Sequence, residues 1–89
     1  MKERDIVTVM TATGEYVGRA LKMDETGIVL ENPRMITFAE QGMGFANGIA
    51  ATGIADPNVM TILQAVFVTE TNPEVVKAWH QATSGLLVP

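Results

Sequence analysis

Residues 5–32 read DIVTVMTATGEYVGRALKMDETGIVLEN, and this stretch decides the fold class. It divides into three short apolar runs separated by two glycine-marked turns. In the first run Val7 and Val9 alternate with Ile6, Thr8 and Met10, the period of two that a half-buried strand shows. In the second, Val17, Leu21 and Met23 are assigned to one face with Arg19 beside them. Ile28 and Leu30 give the third run its inward face. Thr13-Gly14 and Thr26-Gly27 supply residues that accept positive backbone angles at tight turns. The spacing predicts an antiparallel three-strand meander, and the rest of the chain has to complete a curved sheet.

Downstream, Asn32-Pro33 is expected to break the ladder, because proline donates no backbone hydrogen bond and pushes its predecessor toward extended geometry. Residues 34–40, RMITFAE, then resume as a fourth strand. Residues 41–59, QGMGFANGIAATGIADPNV, hold four of the eight glycines and a single charged residue, Asp56. Their apolar side chains Met43, Phe45, Ile49 and Ile54 are each worth roughly 1.5–3 kcal/mol when buried, so an ordinary solvated loop is a poor reading. This insertion either folds back on its own domain, inserts into a neighbouring subunit or a ring pore, or cradles a phosphate. The last reading lacks the lysine and the strand-to-helix setting that phosphate loops use. Residues 60–69, MTILQAVFVT, read as one long strand, apolar on both faces, that needs covering twice. A helix over 72–85 follows, with Asn72 as N-cap, Pro73 in the first turn and Glu74 near the positive end of the dipole. Val75, Val76, Trp79 and Ala82 recur at helical spacing, Gly85 ends the element, and the apolar tail 86–89 is expected to pack on the domain.

At 89 residues the chain is read as one domain, 1–89, with a small core, yet 47% of it is hydrophobic and mean hydropathy is +0.21. Burial between copies is the simplest outlet for that load. There are no cysteines, which excludes disulfides and thiolate metal sites. A net charge of −4 has the wrong sign for a surface that grips phosphates everywhere, so a nucleic-acid site would be local. No stretch approaches the roughly 18 apolar residues of a membrane span, and the charged start has no apolar signal region, so a cytoplasmic protein is expected. His80 and Ser84 have no triad-like setting, and the carboxylate pairs Glu70 with Glu74 and Asp24 with Glu25 read as helix entry and turn solvation. No enzyme, cofactor, metal or small-molecule substrate is expected. The candidate nucleic-acid contacts are Arg19, Lys22 and Arg34, with Tyr16 and Phe45 as stacking surfaces.

Val7-x-Val9, Gly14, Tyr16, Gly18, Leu21, Asp24 and Leu30 together resemble the first Sm motif, the strand 1 to 3 meander of the Sm-like family. The resemblance implies a mainly β fold, a small SH3-like, strongly bent five-stranded barrel, here with a C-terminal helix and a long glycine-rich insertion before the last strand. It also implies a homo-oligomeric ring closed by edge pairing through segments 35–39 and 61–68. The interface residues would be Met35, Ile36, Phe38, Ile62, Val66, Phe67 and Val68, with Phe45 from the insertion. The ligand it implies is single-stranded RNA, with Tyr16, Asp24 and Arg34 as the contacts. Two departures bear on that function. Asp24 is followed four positions later by Ile28 where RNA-binding members carry asparagine, and Val66-Phe67-Val68-Thr69-Glu70 stands where the family often has Arg-Gly or Lys-Gly. With its long insertion and C-terminal helix, the chain looks more like divergent phage-encoded Sm-like proteins, which would work in the host cytoplasm, than like cellular RNA chaperones. The alternative function is a non-catalytic interaction module that keeps the ring and has lost the RNA pocket.

Overall fold

The computed structural model describes residues 4–46 and 49–83. Among them, strands β1 (Ile6–Met10), β2 (Glu15–Asp24), β3 (Gly27–Ala39), β4 (Gly42–Ala46), β5 (Val59–Ile62) and β6 (Phe67–Glu70) precede helix α1 (Pro73–Thr83). The strands form one antiparallel sheet in the order β4-β3-β2-β1-β6, with β5 also on β3. The fold is mainly β with a C-terminal helix, and it has six strands where the sequence suggested five.

The β1–β2–β3 meander is present, but its turns work differently from each other. Gly27 has φ +153°, and a Cβ there would lie 2.9 Å from the Ile62 carbonyl oxygen, so this turn does need glycine. The first turn does not use a positive-φ glycine. Instead the Thr11 hydroxyl accepts from the amides of Thr13 and Gly14 at 3.2 and 3.1 Å and donates to the Gly14 carbonyl at 2.9 Å.

Three expectations are corrected. The ladder does not break at Asn32-Pro33, because β3 runs 13 residues through it. What changes there is the neighbour: residues 28–31 pair with β5 and residues 35–39 with β4. Asn32 sits at φ +51° and its amide donates to the Asn58 carbonyl at 2.7 Å, while Pro33, which has no amide to satisfy, is fully buried. Second, the apolar run 60–69 is two strands. Residues 63–66 turn a corner, the Val66 amide donating to the Met10 carbonyl at 2.7 Å, so that β5 serves β3 and β6 serves β1. The run looked apolar on both faces because it contributes to two different places in the sheet. Third, Val17 does not share a face with Met23. Of the two register shifts, the one between Val17 and Arg19 places its extra residue in β3, and the one between Ala20 and Lys22 places its extra residue in β2, which reverses the alternation of β2 before Met23, as an inserted residue does in any ladder.

The pleat of the strands, with the one reversal in β2, sorts the apolar residues into two cores. On one face Val7, Val9, Tyr16, Ala20, Ile28, Leu30 and Ile62 pack together, with Met23, Met35, Ile49, Met60 and Val68 against them. On the other, Val17 and Ile36 meet Trp79 of α1, flanked by Ile6, Phe45 and Val75. The helix begins as its sequence predicts: the Glu74 amide donates to Asn72 Oδ1 at 2.9 Å. Its predicted stop at Gly85 and the apolar tail lie outside the described residues. Trp79 is held by its indole, which donates to the Asn32 carbonyl at 3.0 Å, and by Arg19, whose guanidinium carbon lies 5.6 Å from the ring centre. Within the insertion, residues 42–46 form a hairpin with β3, Phe45 and Ile49 reach the two cores, and Met43 and Ile54 are exposed.

Gly27→Ala is expected to cost about 1–3 kcal/mol, since it adds backbone strain to a collision with a carbonyl. Gly42→Ala should cost less: its φ is +124° but nothing lies within 4 Å of the added carbon. Equal denaturant midpoints for the two variants would contradict this account.

Candidate functional site

The three residues read as RNA contacts are not brought together. Tyr16 belongs to the first core and is 8% exposed, paired across the ladder with Met35. Arg34 pairs with Val17 in the adjacent register position and is therefore on the opposite face. Asp24 closes β2 at its far end, where it opposes Gly27.

At that far end Asp24 organises its own turn. One carboxylate oxygen accepts from the Thr26 hydroxyl at 2.5 Å and from the Thr26 amide at 2.8 Å, and the other lies 3.5 Å from Lys22 Nζ. The Thr26 hydroxyl and then its amide hold the Asp24 carboxyl below its ordinary value, with desolvation opposing them and the Lys22 ammonium adding a lesser lowering effect. One oxygen, Oδ1, is thus engaged within the turn itself, while Oδ2 faces Lys22.

Arg34 is a buried cation. Its Nη1 donates to the Pro33 carbonyl at 2.9 Å, and Nη2 lies 3.5 Å from Asp56 Oδ1 in the insertion. Arg19, the third basic candidate with Lys22, makes an ion pair with Glu31 at 3.3 Å while covering Trp79. His80 is exposed with its ring edge-on to Trp79, 5.1 Å between centroids. Among the described residues there is no group of three or more His, Cys, Asp or Glu side chains placed to hold a metal, and no helix is long and apolar enough to cross a membrane.

The interface candidates divide by depth. Ile36 and Ile62 are buried in this chain's own cores, Met35 and Val68 pack against the first core and Phe45 against the second. Phe38, Val66 and Phe67 are 76%, 68% and 52% exposed. The structure adds Met43, which faces Phe38 across the β3–β4 hairpin, and Leu63, 75% exposed at the β5–β6 corner. No glycine or proline marks that corner, so no local signal placed Leu63 outside. Segment 35–39, assigned as a joining edge, carries β4 along it. Among the described residues the strands with a single partner are therefore β4 and β6, at the two ends of the strand order, and β5, which pairs only with β3.

Comparison of the chain with family models, curated proteins and solved structures finds no match.

Because the Asp24 carboxyl is depressed in the folded chain, its contribution to stability is complete above the unfolded carboxylate value of about 3.9 and is lost as pH falls through the folded value. The stability difference between the wild type and Asp24→Asn should therefore be constant near neutrality and shrink in acid. Denaturant unfolding across that range tests it, and a difference that grows in acid would be contrary to the assignment.

Proposed function

We propose that this chain is a divergent Sm-like protein that closes a homo-oligomeric ring and acts as a non-catalytic interaction scaffold. The observation that carries the reading is that β4 and β6, at the two ends of the strand order of one bent sheet, each have a single strand partner among the described residues, as does β5 beside β3. The two ends are rimmed by exposed apolar side chains, Phe38 and Met43 at one end and Leu63, Val66 and Phe67 at the other. Open edges of this kind invite strand addition, and joining two different edges head to tail closes a ring when the rotation per copy divides a full turn. The bulged β2, the meander and the bent β3 support the Sm-like part of the reading. Single-stranded RNA is the ligand that the resemblance implies. The scaffold reading is favoured over it because Tyr16, Asp24 and Arg34 are not brought together, and Arg19 and Lys22 each face a carboxylate, at 3.3 and 3.5 Å, in a chain of net charge −4.

Native mass spectrometry of the protein as purified, without nuclease, is expected to give a single closed multiple free of nucleic acid. A wild-type monomer overturns the ring, and a ring with bound RNA overturns the scaffold in favour of the RNA-binding reading. Phe67→Lys and Phe38→Lys change exposed positions, so each should leave the far-ultraviolet circular dichroism unaltered while shifting the mass to the monomer. Rings that survive both substitutions would remove these two edges from the interface.

A further inference from the structure

Arg34 is 5% exposed, and the two edges of its guanidinium are treated unequally. Nη1 is satisfied by the Pro33 carbonyl. The opposite edge, where the Nε and Nη2 hydrogens point the same way, is the fork that takes two oxygens of one carboxylate or phosphate at about 2.7–2.9 Å. Here that fork is half filled. Nη2 has Asp56 Oδ1 at a long 3.5 Å, and Nε is buried with no hydrogen-bond partner among the described residues. A buried charged group with an unmet donor is expensive to keep. The carboxylate opposite it is weakly committed: the Asp56 side chain is 67% exposed, on a stretch from Ala50 to Asp56 whose residues are all exposed.

We propose that the Nε–Nη2 edge of Arg34 is a binding site for a phosphate group, which enters as Asp56 swings outward and engages both nitrogens. Asp56 is then the resident competitor, an anion of the chain's own that neutralises the site while it is empty of ligand. This explains how a chain of net negative charge can hold a local phosphate site without a basic surface: the recognising cation is covered until the ligand displaces the cover. The same chemistry serves free phosphate or a phosphodiester of single-stranded nucleic acid. The fork lies within one chain and does not require the ring, so its failure is distinguishable from failure of the assembly reading.

A ligand that binds the folded chain raises the thermal midpoint by mass action. Inorganic phosphate should therefore raise the midpoint of the wild type more than chloride does at equal ionic strength. Asp56→Asn, which removes the competing charge and keeps the shape, should saturate at about fivefold lower phosphate. Arg34→Lys keeps the charge but has no fork, and should respond to phosphate only as to chloride; if that variant does not fold, the Asp56→Asn comparison still decides. Oligouridylate that competes with phosphate identifies a phosphodiester source, and phosphate binding without such competition identifies the free anion. Equal responses to phosphate and chloride in the wild type and Asp56→Asn, or no tightening in Asp56→Asn, would overturn the proposal.

Discussion

The bend at Asn32-Pro33 is the constraint on which the other elements depend. Asn32 takes a left-handed backbone angle that asparagine tolerates better than most residues. Its amide reaches out to the Asn58 carbonyl and its carbonyl receives the Trp79 indole, so one residue ties the insertion and the helix to the sheet. Pro33 follows, and because it has no amide it can be buried without leaving a donor unmet. Through this bend a single strand serves β2, β5 and β4 in turn. That economy lets a short chain curve its sheet enough to enclose one core and still offer its other face to α1.

The second core follows from the first. The alternation of β2 points Val17 away from Tyr16 and Ala20, and without the helix it would be left in water. Trp79 fills that position, fully buried, with its polar nitrogen hydrogen-bonded, as buried indoles generally require. Arg19 covers the ring from the solvent side and is held there by Glu31 and by the Arg4 carbonyl. The Thr8 and Thr71 hydroxyls, 2.9 Å apart, fasten the entry to the helix against β1. The terminal helix is thus part of the domain's structure, covering the face that β3 and the bulged β2 expose.

Burial within one chain is incomplete at the two ends of the sheet. Each candidate cation, Arg19, Lys22 and Arg34, lies beside a carboxylate, while exposed apolar side chains gather at the strand ends. A mass of exposed phenylalanine, leucine and valine at strand ends is costly to leave in water and easy to bury against a second copy. This is the physical basis on which assembly is proposed ahead of nucleic-acid recognition.

Much of the fold was legible in the residues, because the signals involved are local. Alternation around Val7 and Val9, the glycine at Thr26-Gly27 and the Asn72-Pro73-Glu74 helix start each act within a few residues, and each predicted the element that forms. The candidate site was far less legible. The Sm-like resemblance implied Tyr16, Asp24 and Arg34 as joint RNA contacts, but the pleat sends Tyr16 and Arg34 to opposite faces and leaves Asp24 at the other end of its strand. The sequence by itself determined the meander, the helix start and the apolar load of the chain, all consequences of short-range periodicity and composition. Only the tertiary structure decided where the run 60–69 breaks, which strand edges stay open, and that Arg34 is buried beside Asp56, because those depend on register shifts and on hydrogen bonds between residues far apart in the chain.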